Sequence, residues 1–290
     1  MTQVVQAGAA LPPEPAAVAL TAASEARAVA VVCRREVVKF RRARGRILSG
    51  LAQPLVFLLV LGVGLTPLVE SGSGIDFKVF IFPGVLAMSV LSTAAFDAMS
   101  IVWDREVGFL REMLVTPVSR SSILVGRALG GATVATLQGA LMLPLAPLIG
   151  VPLSLVLALE LLAITFLAAL GVTSIGIFVA SYIQQPENFQ AIMQLLVFPM
   201  LFLSGAMFPL RGLPGWLGVL TRLNPVTYTV DPVRRVLLQH EPAAPGSASA
   251  WAPGLELLGH TLPVWLELVV IVAMAVALLG LSLRAFGRPE

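Results

Sequence analysis

The chain has 290 residues, of which 57% are hydrophobic and only 12% are charged, and its mean hydropathy is +0.91. A soluble domain has about 45–50% apolar residues and roughly twice this density of charge, so a single water-soluble globule is excluded. The net charge of +3 comes from basic residues that flank apolar runs, a pattern that sets membrane topology and argues against nucleic acid as a partner.

The N-terminal segment is expected to be a tail followed by an amphipathic helix. Residues 1–24 contain the Pro- and Ala-rich stretch LPPEPAA and are predicted to form a disordered cytoplasmic tail rather than a signal peptide. One face of the following helix carries the apolar side chains of Val29, Val32, Cys33, Val37 and Phe40. Arginines occupy the other face, which favours a helix lying at the membrane interface. Glu36 interrupts the apolar face, and the alternative is a basic flank that only sets topology.

Six apolar segments are long enough to cross a hydrocarbon core of ~30 Å, which takes roughly 20 helical residues. They lie near residues 47–69, 79–102, 123–148, 154–182, 190–210 and 262–283. Abundant Leu, Ala and Val and only 7% aromatic residues favour packed helices over a β-barrel. The sequence therefore predicts an all-α membrane protein with six transmembrane helices in a domain spanning residues 25–285.

The distribution of basic residues predicts the orientation. Most of them precede the first predicted span, lie in the loop after the second, or lie in the C-terminal tail. Short cytoplasmic loops carry an excess of Lys and Arg. Both termini are therefore expected to be cytoplasmic, in a multi-pass protein of the plasma (inner) membrane.

The loop between the second and third predicted spans, residues 104–120, combines charges with an apolar stripe. The stripe consists of Phe109, Leu110, Met113 and Leu114. Thr116-Pro117 ends the predicted helix, because the residue before a proline avoids helical geometry. Such a helix either lies on the membrane or docks into a groove of a soluble partner, and its mixed charge argues against simple adhesion to anionic lipid.

The region between the fifth and sixth predicted spans, residues 211–260, is expected to form short outer helices followed by a loop. Trp216 suits the level of the lipid headgroups, and Asn224-Pro225 separates two helical segments. Short helices at the mouth of a bundle either cap a pathway or serve as ordinary surface cover, and the sequence leaves both open.

No motif for catalysis or metal binding is found in the sequence. A nucleotide-hydrolysing P-loop needs a lysine after glycine, whereas Lys39 and Lys78 follow Val and Phe. His240 and His260 lie in the outer loop, away from Ser204 in the fifth predicted span, which argues against a membrane-embedded hydrolase. Glu160, in the fourth predicted span, is a carboxylate at some depth in the membrane. Its expected roles are contact with cargo or an outer gate, against interfacial placement or helix pairing.

Two strings carry a family resemblance: REVGFLREMLVTPVSRSSILVGR, residues 105–127, and FPMLFLSGAMFPLRGLPGWLGVLTRLNPVTYTVDPVRR, residues 198–235. Together with the basic amphipathic helix and the six spans, the sequence resembles the ABC-2 type permeases. The resemblance is to the branch of daunorubicin/doxorubicin-resistance and nodulation-factor export permeases, and it covers roughly residues 25–285.

The resemblance implies a half-transporter of the type-2 ABC exporter fold that binds no cofactor itself. Two permease subunits, as a homodimer or with a paralogous half, would assemble with two copies of a separate ATPase that binds ATP. Residues 29–40 would form a connecting helix, and residues 211–238 an outer gate. The residues implied in ATPase coupling are Arg105, Glu106, Phe109, Leu110, Arg111, Met113 and Leu114.

The candidate pathway and gate residues are Glu160, Phe198, Met200, Phe202, Met207, Trp216 and Tyr228. For the large apolar residues of the fifth predicted span, contact with lipid is the alternative. Few aromatic residues favour an amphipathic drug, lipid or glycolipid as cargo over a polysaccharide. The competing function is a secondary carrier driven by the proton gradient, which would depend on Glu160.

Overall fold

The computed structural model describes residues 21–64, 66, 77–107, 118–150, 153–207, 214–240, 254–257 and 260–286. Within these ranges the chain is helical, apart from the two-residue strands β1 (Glu256–Leu257) and β2 (His260–Thr261), which pair in antiparallel fashion. The predicted helical class is therefore confirmed for the described residues, with this short hairpin as its one exception.

The helices have the following bounds: α1 (Ala22–Arg42), α2 (Arg44–Phe57), α3 (Phe77–Asp97), α4 (Met99–Glu106), α5 (Arg120–Ala140), α6 (Leu155–Tyr182), α7 (Pro186–Leu203), α8 (Gly215–Leu223), α9 (Thr227–Gln239) and α10 (Val264–Phe286). A π-helical turn, Leu58–Val63, extends α2. Two 3₁₀ turns, Leu143–Leu145 and Pro147–Ile149, follow α5, each with a proline in its first positions.

Among the described residues, five helical stretches are long and apolar enough to cross a membrane: Arg44–Gly62, Phe77–Glu106, Arg120–Ile149, Leu155–Tyr182 and Val264–Ala285. The chain is therefore a multi-pass membrane protein. The remaining predicted span corresponds to α7, which has 18 residues. Its first turns carry Glu187, Asn188 and Gln190, and these polar residues lower its apolar character.

Helix α3 forms the centre of the bundle. Of the 18 most apolar consecutive residues in Phe77–Glu106, 83% are buried, whereas only 17% are buried in Arg44–Gly62 and in Val264–Ala285. Helices α2, α5, α6, α7 and α9 all contact α3. Its large side chains, including Phe80, Phe82 and Leu86, are fully buried, so the surrounding helices pack against α3.

Polar contacts tie α2 to this centre. Pro54 has no N–H to donate to the carbonyl of Gly50, and that carbonyl accepts instead a hydrogen bond from the Ser89 hydroxyl of α3, at 3.4 Å. The Gln138 amide of α5 donates to the carbonyl of Ile47 at 3.3 Å. In a bilayer these neighbours are the available partners for backbone groups that a helix leaves free.

Helix α1 packs along α5, with both running in the same direction. Two glycines of α5 allow the close approach: a Cβ at Gly126 would lie 2.8 Å from Val32 Cβ, and one at Gly130 would lie 3.1 Å from Glu36 Cβ. Val32 and Phe40 are buried. The apolar face that the sequence predicts to contact acyl chains is thus covered by α5, whose glycines contact Val32 and Glu36.

Helix α7 ends at Leu203, earlier than the predicted boundary near residue 210. Gly205 adopts a left-handed conformation with φ of 77°, which glycine permits without steric cost. The carbonyls of the last turn accept from the following segment: Asn224 donates to Met200 O at 2.6 Å, and Thr227 donates to Leu203 O at 3.4 Å. These partners fix the reversal of the chain after α7.

The two short helices after this turn differ in burial. Helix α8 exposes the apolar side chains of Trp216, Val219, Leu220 and Leu223, whereas nearly every residue of α9 up to Arg234 is buried. Helix α9 contacts α3, α6 and α10. Ordinary surface cover therefore does not describe α9, which lies within the bundle.

Candidate functional site

An ionic cluster with a buried centre joins α1, α2, the α3–α4 segment and α5 at the end of α3 where Asp97 lies. We call it the ionic junction. Its charged members are Arg35, Glu36, Lys39, Arg46, Asp97, Asp104 and Arg127. The junction therefore contains three carboxylates and four cations, and it lies beside the loop that the sequence predicts to meet an ATPase.

Arg127 occupies the middle of the ionic junction. Its Nη1 lies 3.2 Å from Glu36 Oε1 and donates to Ser100 Oγ at 2.7 Å. Its Nη2 pairs with the Asp104 carboxylate. One guanidinium thus bridges α1 and α4, because its fixed fork offers donors in two directions.

The carboxylates of the ionic junction have further partners. Arg35 Nη2 lies 3.0 Å from Asp104 Oδ2 and 3.1 Å from Glu36 Oε1. Lys39 Nζ lies 3.6 Å from Glu36 Oε1, and Arg46 Nη2 lies 3.5 Å from Asp97 Oδ1. Each carboxylate is therefore neutralised by at least one cation.

Burial makes these contacts consequential. Glu36 and Arg127 expose 2% and 5% of their surface, and a charge removed from water needs its partner to remain ionised. Burial lowers the pKa of Lys39, and the neighbouring Glu36 carboxylate opposes that shift. The arrangement is a fully paired network that fixes how α1 is seated on α5.

A second contact fastens the N-terminal end of α1 to the first turn of α5. The Ser119 and Ser122 hydroxyls donate to the Glu25 carboxylate, and Ser119 N donates to Glu25 Oε1 at 3.3 Å. Ser119 also caps α5 by accepting from Ser122 N at 3.1 Å. These hydrogen bonds to the ionised form lower the pKa of Glu25.

Of the seven predicted coupling residues, the structure describes two. Arg105 Nη1 donates to the carbonyls of Ala180 and Ile183, at 3.5 and 3.3 Å, at the end of α6. Glu106 is exposed at the end of α4. Phe109, Leu110, Arg111, Met113 and Leu114 lie outside the described residues. Arg105 therefore binds within its own chain, next to the segment predicted to contact a partner.

The predicted pathway and gate residues do not form one cluster. Glu160, Phe198, Phe202 and Trp216 are exposed on the chain, and Met200 and Met207 are half-buried. Phe198 and Phe202 contact each other, with ring centroids 5.1 Å apart. Tyr228 is buried, and its hydroxyl donates to the Arg222 carbonyl at 2.8 Å.

A second ionic cluster lies near the opposite end of α3 and joins α9 to α10. Arg235 Nη2 pairs with the carboxylates of Asp231 and Glu267, and Leu255 N donates to Asp231 Oδ2 at 3.4 Å. Glu267 is fully buried. Arg234, which precedes Arg235 in the chain, donates to Gly205 O at 2.7 Å and lies 4.3 Å from the centroid of the Phe80 ring. We call Asp231, Arg235 and Glu267 the outer cluster.

Sequence reasoning did not assign a role to Glu36, Asp104 or Arg127. The signal was present, since Glu36 interrupts an otherwise apolar helix face and Gly126 and Gly130 are one helical turn apart. A carboxylate on an apolar face together with paired small residues indicates a helix contact with an internal cation.

Known proteins support the resemblance found in the sequence. The profile of the family described as ABC-2 type transporter matches residues 27–238. The chain is 32% identical over 214 residues to nodulation protein J of Rhizobium leguminosarum bv. trifolii, which covers 72% of this chain and 80% of that protein. It is 30% identical over 211 residues to the transport permease ycf38 of Cyanophora paradoxa, which covers 70% of this chain and 72% of that protein.

Nodulation protein J of Rhizobium meliloti (strain 1021) is also 32% identical, over 212 residues that cover 71% of this chain and 80% of that protein. The profile match extends over most of the chain and includes both strings that carried the resemblance. The chain therefore belongs to the ABC-2 type transporter family, a membrane component of transport rather than an enzyme.

Proposed function

We propose that this chain is the permease subunit of an ATP-binding cassette exporter and takes its energy from a separate ATPase subunit. Family membership supports the transport role. The single observation that carries the coupling role is that both ends of the segment 105–119 are bound to other helices of the chain. Arg105 binds the end of α6, and Ser119 binds Glu25 of α1. A segment bound at both ends in this way can transmit a displacement from a soluble partner to the helix bundle.

The proposed topology has six spans in the plasma (inner) membrane with both termini in the cytoplasm. Helix α7 would be the fifth span, completed by residues beyond Leu203. The basic residues of α1 and of the loop after α4 support this orientation. The ionic junction then lies at the cytoplasmic side and the outer cluster at the external side.

The proposed assembly contains two permease chains, identical or paralogous, and two ATPase subunits. One exposed face of α7 supports a second permease, since it combines the apolar side chains of Leu195 and Phe198 with a polar one. Gln194 is exposed on α7 beside them. A polar side chain at membrane depth usually faces protein or water rather than lipid.

The proposed cargo is an amphipathic drug, lipid or glycolipid-like molecule that leaves the cytoplasm or the inner leaflet. Phe198, Met200, Phe202 and Met207 would form an apolar pathway wall for such a molecule. Glu160, Trp216 and Tyr228 would act at the outer side. An apolar wall with few hydrogen-bonding groups suits a ligand whose affinity comes mainly from buried apolar surface.

The test is co-purification of the chain with the ATPase from cells that express both. Replacing Phe109, Leu110 and Arg111 together by alanine is expected to abolish association, because the apolar stripe of the docking segment is lost. The matched control replaces Trp216, Val219 and Leu220, which are exposed on α8, and is expected to retain the ATPase. Equal association of both triple variants and the wild type would refute the coupling role.

A further inference from the structure

We propose that Arg127 is a positioning residue, which holds the end of α4 and the start of α5 against α1 so that these two helix ends meet the ATPase complex as one rigid body. The inference rests on the proposed function and adds a role for residues outside the docking segment. It is carried by the position of the ionic junction, whose contacts lie on both sides of the loop.

Helix α1 contacts the chain on both sides of the segment 105–119. Before the loop, Asp104 binds Arg35 of α1 at 3.0 Å. After the loop, Ser119 binds Glu25 of α1, and Arg127 binds Glu36 of α1 at 3.2 Å. A segment tied at both ends to one helix keeps its ends at a fixed separation.

Arg127 connects these contacts to one another. It pairs with Asp104 and Glu36 at once, and Ser100 accepts a further hydrogen bond from it. Close packing of α1 over Gly126 and Gly130 leaves no space for a further side-chain atom between the two helices. Packed interfaces of this kind move as units, because interiors do not deform continuously.

The first experiment separates positioning from a purely structural role with three variants of the full chain, each co-expressed with its ATPase. Arg127→Ala leaves Glu36 and Asp104 short of one cation and is expected to weaken association about tenfold. The double variant Glu36→Gln with Arg127→Met removes the pair without stranding a buried charge. Its thermal stability is expected to return close to the wild-type value, while association stays weakened. Arg41→Ala, on the exposed side of α1, is the matched control and is expected to bind normally.

Two results would overturn the inference. Recovery of both stability and association in the double variant would mean that Arg127 only stabilises the fold. Unchanged association in a folded Arg127→Ala chain would mean that the loop is held without it. If the wild type itself captures no ATPase, the proposed function fails instead, so the two failures are distinguishable.

The second experiment needs no loss of charge and applies even if Arg127→Ala does not fold. Cys33 is the chain's single cysteine, and its Sγ lies 4.0 Å from Thr133 Oγ1 of α5. In the variant Thr133→Cys, oxidation is expected to link α1 to α5. If they move as one body, the linked complex hydrolyses ATP at the rate of the reduced complex. A rate that drops on oxidation and returns with reductant would contradict the inference.

Discussion

The ionic junction and the outer cluster both have a buried centre, yet they distribute charge differently. In the ionic junction, Glu36 has Arg127, Arg35 and Lys39 within 4 Å. In the outer cluster, the single guanidinium of Arg235 lies between Asp231 and Glu267. Arg234, the neighbouring cation, is directed to Gly205 O and the Phe80 ring. The ionic junction thus has a reserve of directly paired cations, whereas among the described residues of the outer cluster only Arg235 makes direct ion pairs.

The comparison suggests how each cluster responds to the loss of a residue. Removing one partner of a buried ion pair leaves an uncompensated charge in a medium of low dielectric constant. Among the described residues, Glu36 and Asp104 keep a directly paired cation when Arg127 is removed, whereas Asp231 and Glu267 lose their direct ion pairs when Arg235 is removed.

The largest expected effect is that of Arg235→Met. The substitution leaves two buried carboxylates side by side, and the expected loss is about 3–5 kcal/mol of unfolding free energy. Thermal unfolding of the detergent-solubilised chain measures it. The triple variant with Asp231→Asn and Glu267→Gln is expected to recover most of the loss, and an unchanged melting temperature in Arg235→Met would show that the cluster is not held by this pair of contacts.

A smaller loss is expected for Arg127→Ala, because Glu36 retains Arg35 and Lys39 while Asp104 retains Arg35. We expect about 1–3 kcal/mol by the same unfolding measurement. The order of the two arginine variants is the critical result. A larger loss for Arg127→Ala than for Arg235→Met would contradict the reserve of cations in the ionic junction.

Two glycine substitutions extend the comparison to packing. A Cβ at Gly84 would collide with three backbone atoms of Ala206, whereas one at Gly126 would lie 2.8 Å from Val32 Cβ and 3.1 Å from Val29 O of α1. The overlap is more severe at Gly84, so Gly84→Ala is expected to cost about 1–3 kcal/mol and Gly126→Ala less. Gly218→Ala is the control, since nothing lies within 4 Å of its Cβ. Equal melting temperatures for Gly84→Ala and Gly218→Ala would argue against the close contact of α3 with the turn after α7.

The smallest expected effect concerns pH and Glu25. Hydrogen bonds from Ser119 and Ser122 hold its pKa below the ordinary value of 4.5. The carboxylate therefore contributes stability above that value, and the contribution fades as pH falls through the lowered pKa of the folded chain. Glu25→Gln is expected to lower the melting temperature slightly at neutral pH. The difference from the wild type should shrink as the pH falls below 4.5 and disappear once the pH is below the lowered pKa of the folded chain, where both carry an uncharged side chain. A difference that grows toward acid would reverse the assigned sign.

The sequence predicted the helical class and the membrane character well, because both follow from apolar content and the length of apolar runs. It predicted α1 as amphipathic but assigned its apolar face to lipid. A helical wheel shows that a face is apolar and does not show what covers it. The contacts of Gly126 and Gly130, which are distant in the chain, show that α5 covers this face.

Other features of the site could not be read from local pattern. The pairing of Glu36 with Arg127 and of Arg235 with Glu267 joins residues far apart in sequence, and each charge had a plausible local explanation by itself. The burial of α9 depends on its contacts with α3, α6 and α10. Only the packed bundle brings these groups together.

The central claim is that the segment after Arg105 contacts an ATPase. The most direct measurement places a photo-crosslinking amino acid at Phe109 and, in a matched chain, at Val219 on the exposed face of α8. Illumination of cells that express the chain with its ATPase is expected to link the ATPase to position 109 and not to position 219. Crosslinks to the ATPase from position 219, or none from position 109 in folded protein, would contradict the account.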